Sequence, residues 1–317
     1  MVEVQFRVVQ AGPHVSVQDA GRFGMLRYGV PASGPMDRLA HQAANLALGR
    51  PAAAAAIEVS LGGLVLECVA GEAMLAVAGG GFVVTVDDRR YGSWSVFPVR
   101  SGSRVTIKPG PWGSWAYLAF SAMLETEMWL GSAATHALSG LGGGKVTAGD
   151  MLIGRAPSAL NDPTTLPCPV FARPRSHLRV VLGPQDRFFA PDKIATFLDS
   201  AFTLTDAYDR MGVRLKGPVL PPNAALTMPS EAILRGSVQV AGDGVATVLL
   251  ADHQTTGGYP KIATVLSCDL DGFAQLRPRA PVVFQAVTPA RALQISRQHA
   301  TVSERYLAGI SRRAAAV

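Results

Sequence analysis

Apolar residues in this chain fall in short runs that are closed again and again by glycine or proline. Side chains of a strand alternate between two faces, and turn residues end each run, so the pattern predicts many short strands. Runs of this kind cover residues 82–86, ending at Asp87-Asp88, and residues 104–107, ending at Pro109-Gly110. Others cover 115–120, 247–250 and 282–284. Two stretches change to helical spacing. Met36, Leu39, Ala43 and Leu46 recur at helical intervals, with Ser33-Gly34-Pro35 as cap and early proline, Asp37 at the positive end, and Gly49 and Pro51 as the stop. Pro191 starts the second helix, with Ile194, Phe197, Leu198 and Ala201 as its apolar face. The fold class predicted is mostly β, with barrels or sandwiches and few helices.

Parts of the pattern occur twice. The strand 6–13 ends in Gly12-Pro13, and the strand 178–184 ends in Gly183-Pro184. Arg22, Gly24 and Gly29 have the same spacing as Arg210, Gly212 and Gly217. Glu58, Leu61, Gly63, Val65, Gly71, Ala73 and Ala78 match Glu231, Leu234, Gly236, Val238, Gly244, Ala246 and Ala251 without a gap. Three matches in one order predict a duplicated module. The first copy is expected over 1–155, a Pro-rich linker over 156–175, the second copy over 176–290 and a tail over 291–317.

Composition narrows the function. The chain has 317 residues and is 48% hydrophobic, enough for about two domains. Its net charge of +6 comes from scattered arginines without a basic run, which argues against nucleic acid and suits an anionic metabolite or an acidic partner. Cys68, Cys168 and Cys268 lie far apart, as reduced thiols would, without metal-ligand spacing. The start, from Met1 to Arg7, lacks the apolar run of a signal peptide, and no apolar stretch reaches membrane-spanning length. A cytoplasmic protein is expected, with no membrane.

Two polar loops are the candidates for chemistry. Gln18-Asp19-Ala20-Gly21-Arg22-Phe23-Gly24, continuing through Ser33 and Gly34 to Asp37, combines glycines with charged and hydroxyl groups. Asp252-His253-Gln254-Thr255-Thr256-Gly257-Gly258-Tyr259-Pro260-Lys261 follows an apolar strand. Its hydroxyls and backbone N–H groups fit an oxyanion or carboxylate, and Lys261 supplies a cation. The alternative is a pair of surface turns whose charges cap helices or remain solvated. The two loops, one per copy, are expected to face one cleft. Glu58 and Glu231 are either acid–base groups or structural partners of Arg22 and Arg210. The run Gly140-Leu141-Gly142-Gly143-Gly144-Lys145 is not a nucleotide-binding loop, because Val146 stands where the hydroxyl belongs. The six histidines are isolated, so no metal site is legible.

The strings Gln18-Asp19-x-Gly21-Arg22-x-Gly24, Gly29-Val30-Pro31-x-Ser33-Gly34-x-Met36-Asp37, Asp209-Arg210-Met211-Gly212 and 254–261 resemble the family of 5-oxoprolinase C subunits. That family is also called allophanate hydrolase subunit 2, or the biotin-dependent carboxyltransferase domain of urea carboxylase. The resemblance covers residues 6–287. It implies two tandem cyclophilin-like β-barrels and a heteromeric hydrolase with a separate B-subunit homologue and an A-subunit homologue. The reaction implied is ATP-dependent conversion of 5-oxo-L-proline, a small lactam, to L-glutamate, with ATP and Mg bound at the level of the complex. The catalytic set implied is Asp19, Arg22, Asp37, Thr255, Thr256 and Lys261. Gln18, Ser33, Gln254, Gly257, Gly258 and Tyr259 are expected to contact substrate. Ala133, Trp115 and His253 depart from the pattern, since relatives usually carry arginine there. Alternatives within the resemblance are carboxyl transfer from carboxybiotin to urea or another amide, and a non-catalytic antagonist of a histidine-kinase inhibitor.

Overall fold

The computed structural model describes residues 2–156, 160–223 and 228–315. Residues 157–159 of the expected linker and 316–317 of the expected tail lie outside the described residues. Contacts divide the chain into two units that are not contiguous in sequence. Unit 1 contains Met1–Arg22, Ser33–Arg173 and Ser303–Val317, and unit 2 contains Phe23–Ala32 and Pro174–Val302.

Unit 1 holds strands β1 (Val2–Ala11), β2 (Ser16–Gln18), β3 (Ala56–Val59), β4 (Leu64–Ala70), β5 (Glu72–Gly79), β6 (Val83–Val86) and β7 (Arg89–Gly92). It continues with β8 (Ser95–Arg100), β9 (Arg104–Lys108), β10 (Ala116–Phe120), β11 (Met123–Leu124), β12 (Met151–Ala156) and β13 (Thr164–Thr165). Helix α1 (Arg38–Leu46) lies between β2 and β3 in sequence. One sheet has the order β11-β12-β1-β4-β9-β6-β7, and the other β13-β8-β5-β10-β3-β2. Val4, Phe6 and Val8 alternate inward from β1 and join Ile57, Phe97 and Leu118 of the second sheet in one core. The other face of the second sheet carries small residues, Ala76, Ala78 and Ala119, against which Leu39, Ala40 and Ala43 of α1 pack.

The cap of α1 differs from expectation. Asp37 is itself the N-cap, accepting the Ala40 N–H at 3.0 Å, so the helix starts after Ser33-Gly34-Pro35 rather than on it. Of the segment expected as a linker, the described residues 160–173 belong to unit 1, and Pro174 and Arg175 belong to unit 2. Thr164 and Thr165 pair with β8, and Ala172 is buried beside α1's core.

Unit 2 holds β14 (His177–Leu182), α2 (Pro191–Asp199), β15 (Phe202–Tyr208), β16 (Gly212–Lys216), β17 (Glu231–Ala232), β18 (Ser237–Val240), β19 (Ala246–Leu249), β20 (Thr256–Gly257), β21 (Lys261–Val265), α3 (Ser267–Ala274) and β22 (Pro281–Ala286). Seven strands close a barrel in the order β14-β21-β18-β19-β16-β15-β22, while β17 and β20 form a separate ribbon. Phe197 of α2 is buried and stacks on Phe284 at 4.5 Å between ring centroids. Helix α2 takes the predicted position, although Ala201 falls beyond its end and is exposed. The expected tail is mostly α4 (Pro289–Ala315), a single helix.

The mostly β expectation holds, and unit 2 is a closed barrel. The internal repeat is not a repeat of strand pairing. β18 pairs with β19, whereas their counterparts β4 and β5 lie in different sheets. Glu58 sits in the six-stranded sheet and Glu231 in the separate ribbon. The recurring turns set strand lengths, but long-range pairing decides which strands meet.

Candidate active site

In unit 1, the Asp19 carboxylate holds two stretches of chain together. Oδ1 accepts the Gly21 N–H at 2.9 Å and the Ser132 hydroxyl at 2.6 Å, and Oδ2 accepts the Ala133 N–H at 2.7 Å. Arg22 is buried alongside. Its Nε donates to Trp129 O at 3.3 Å, Nη2 donates to Ala134 O, and the guanidinium lies 4.6 Å from the Trp129 ring centroid. Gln18 Nε2 donates to Ser16 Oγ at 2.9 Å and to Thr135 O at 3.1 Å. The Gly140–Lys145 run is committed to the same loop, since the Gly143 N–H donates to Ala133 O at 2.8 Å. A cleft of about 630 Å³ opens here, lined by Asp19, Arg50, Ala54, Met123, Met128 and Ala133 among others.

Ser33 and Gly34 both take left-handed backbone conformations, with φ of 54° and 81°. A Cβ on Gly34 would stand 2.9 Å from Ala20 O, so only glycine fits this close approach. The turn delivers Met36 and Asp37 to a buried pair, Glu58 and Tyr117, of which sequence reasoning singled out Glu58 and missed Tyr117. Glu58 Oε2 accepts the Met36 N–H at 2.9 Å and the Tyr117 hydroxyl at 2.7 Å, and Tyr117 Oη accepts the Asp37 N–H at 2.8 Å. Burial, followed by the charges of Glu58 and Asp37, pushes the Tyr117 hydroxyl well above its ordinary pKa. It therefore acts as a fixed O–H donor. His41 of α1 meets Gln18 O at 3.3 Å and packs edge-on to Tyr117. Its burial lowers the imidazole pKa to about 4. The available signal was Tyr117, a hydroxyl inside an otherwise apolar strand.

In unit 2, Arg210 and Asp252 form a buried ion pair, and Asp252 opens the second candidate loop. His253 Nδ1 lies 2.7 Å from Gln254 O, and burial lowers its pKa. Thr255 is half-buried; Thr256 and Tyr259 are exposed. Thr256 and Gly257 pair with Ala232 and Glu231 as the β17–β20 ribbon. Neither Gly257 nor Gly258 has positive φ, so backbone conformation alone does not demand glycine at either position. Gly257 is needed for packing instead: a Cβ there would lie 2.7 Å from Ile233 Cδ1 and 2.9 Å from Gln239 Nε2.

Lys261 is the most unusual of the expected residues. It is 2% exposed, and its Nζ has no hydrogen-bond partner among the described residues. Its backbone N–H donates to Gln185 Oε1 at 2.9 Å. Burial pushes the amine below the usual lysine range, and Glu231 opposes that shift. The Glu231 carboxylate accepts from Gln185 Nε2. Gln239 stands opposite Lys261 across the β18–β21 ladder, and its Oε1 accepts from Gln254 Nε2 at 3.2 Å. Gln185 and Gln239 were missed, although a glutamine between valines in β18 is a polar signal in a core strand. Glu58 accepts from Tyr117 and Met36, Glu231 accepts from Gln185, and Arg210 pairs with Asp252.

Among the described residues, no group of three or more His, Cys, Asp or Glu side chains is placed to hold a metal ion. No described helix is long and apolar enough to cross a membrane.

A family model for the carboxyltransferase domain, subdomain A and B, matches residues 28–286. The 5-oxoprolinase C subunit of Haemophilus influenzae is 32% identical over 296 residues, which cover 92% of this chain and 94% of that protein. Among solved structures, TTHA0988 superposes with a TM-score of 0.80 at 32% identity, over 89% of this chain and 56% of that one. The urea carboxylase of Kluyveromyces lactis superposes with a TM-score of 0.85 at 26% identity, over 95% of this chain and 29% of that one. On the extent of the family match and the near full-length relative, the chain belongs to the carboxyltransferase domain family that includes the C subunit of 5-oxoprolinase.

Proposed function

We propose that this chain is the C subunit of a cytoplasmic, ATP-dependent 5-oxoprolinase that converts 5-oxo-L-proline to L-glutamate with separate A- and B-subunit homologues. The observation that carries this reading is reciprocal coverage. The match spans 94% of the Haemophilus influenzae 5-oxoprolinase protein, against 29% of a urea carboxylase chain. A lactam C–N bond has partial double-bond character, so its hydrolysis needs activation, which ATP supplies to the assembly. In unit 2, Thr255 and Thr256 provide hydroxyl donors toward a developing oxyanion and Lys261 provides positive charge, while Arg22 is the cation of the unit 1 loop. Gln254 and Tyr259 add polar groups in unit 2, and Gln18 and Ser33 add them in unit 1. Asp19 and Asp37 act through the backbone: Asp19 fixes the 132–133 loop, and Asp37 caps α1.

A second reading, carboxyl transfer to urea or another amide, is favoured by the family model and by the urea carboxylase superposition. The deciding experiment assays glutamate formation from 5-oxoproline and ATP, for this chain alone and for the reconstituted complex. Turnover is expected only in the complex. Full turnover by the isolated chain would overturn the subunit reading, and urea carboxylation without glutamate formation would select the second one.

A further inference from the structure

An ammonium buried without a partner costs several kcal/mol, so such a group is retained where something else supplies the counter-charge. Lys261 fits that description: its Nζ is buried and has no hydrogen-bond partner among the described residues. Glu231 acts on it electrostatically, but they form no ion pair within 4.0 Å, and the Glu231 carboxylate is held by Gln185. Three neutral carboxamides are tied to this position. Gln185 binds the Lys261 backbone, and Gln239 faces Lys261 across the ladder, where side chains of paired residues come into reach. Gln254 holds Gln239 in place. Lys261 and Glu231 thus balance in charge, but the buried ammonium is left without a hydrogen-bond acceptor among the described residues.

We infer that Lys261 anchors the carboxylate of the substrate, so that unit 2 selects lactams bearing an acid group over the same ring without one. The inference rests on the 5-oxoprolinase reading above and adds a specificity determinant to it. One lysine, without an arginine fork beside it, matches a monoanion rather than a phosphate dianion. A Cβ on Gly257 would stand 2.9 Å from Gln239 Nε2, so glycine at that position leaves the carboxamide uncrowded. The lysine contributes to ground-state binding of the acid group, and hydroxyls such as that of Thr255 act at the carbonyl.

The test uses the reconstituted complex and two ligands, 5-oxoproline and 2-pyrrolidinone, which is the same lactam ring without the carboxylate. Equilibrium binding of each is measured for wild type, Lys261→Met and Lys261→Arg, with thermal melting alongside. Wild type should prefer 5-oxoproline. Lys261→Met should weaken 5-oxoproline binding roughly tenfold to a hundredfold, the range for a hydrogen bond to a charged group, and leave 2-pyrrolidinone within twofold. Lys261→Arg should keep part of the preference. Equal binding of the two ligands by wild type, or equal losses for both in Lys261→Met, would overturn the inference. Because binding is measured apart from turnover, an absence of glutamate formation would count against the functional reading alone.

Discussion

Arg210 and Asp252 meet in a two-pronged ion pair, Nε to Oδ2 at 2.9 Å and Nη2 to Oδ1 at 2.9 Å, with both side chains buried. The Asp252 N–H also donates to Arg210 O at 2.8 Å, so the pair joins the start of β16 to the start of the 252–261 loop. Removing one partner leaves the other charge buried and uncompensated. Arg210→Met and Asp252→Asn should each lower the stability of unit 2 by about 3–5 kcal/mol. Urea unfolding of the two single variants and the double variant checks this. The double variant should be less destabilised than the sum of the singles, and additive losses would mean that the pair is not coupled.

Asp19 offers a test of a different kind, because its carboxylate accepts from protein donors on both oxygens. Asp19→Asn puts an amide where one acceptor oxygen now stands, and the Ala133 N–H or the Ser132 hydroxyl loses its acceptor. The expected cost is about 1–3 kcal/mol. Hydrogen exchange at the Ala133 amide should speed up while amides in β10 stay protected. Unchanged exchange at Ala133 would show that the loop holds its shape without the carboxylate.

His41 should make unit 1 sensitive to acid. Its pKa is about 4 in the folded chain and 6.5 for an unperturbed imidazole, so the unfolded chain binds more protons between those values. Stability is fully present above about pH 6.5 and is lost as the pH falls toward 4, by about 3 kcal/mol in total. Denaturant melts at pH 7 and pH 4.5 should show this slope in wild type and a shallower one in His41→Gln. Equal slopes would remove His41 as the cause.

Strands were legible where the local pattern was strong. The apolar runs ending at Asp87 and Pro109 became β6 and β9, and Phe197 took the buried face of α2. Pairing was not legible, because a strand such as β4 carries no local mark that its neighbours are β1 and β9 rather than β5. Helix α4 looks like a tail in sequence because its buried positions are sparse, with Ala292, Ile295 and Ile310 the buried hydrophobic residues along it. In the two candidate loops, one in each unit, Asp19, Arg22 and Lys261 were visible as polar residues. Their roles depended on partners distant in sequence: Ala133, Ala134 and Gln185. Tyr117 has the sequence signature of a strand residue alone, although it holds both Glu58 and the Asp37 backbone.

The 254–261 loop separates packing from chemistry at neighbouring residues. Thr255 gives its carbonyl to the Ile233 N–H at 3.0 Å, a bond that survives loss of the side chain. Thr255→Ala should therefore change stability by less than about 1 kcal/mol. If its hydroxyl donates to the developing oxyanion, the reconstituted complex should lose about a hundredfold in kcat, since one such donor is worth roughly 3 kcal/mol in the transition state. Gly257→Ala should behave in the opposite order. Its new methyl would crowd Ile233 Cδ1 at 2.7 Å and Gln239 Nε2 at 2.9 Å, forcing the β17–β20 ribbon or the glutamine to move. Overpacking of this kind costs about 1–3 kcal/mol. Melting of both variants, partner binding, and steady-state rates at saturating substrate distinguish the cases. A Thr255→Ala complex that assembles normally and keeps the wild-type rate would take the oxyanion role away from this loop. A Gly257→Ala chain as stable as wild type would show that the ribbon is looser than its contacts imply.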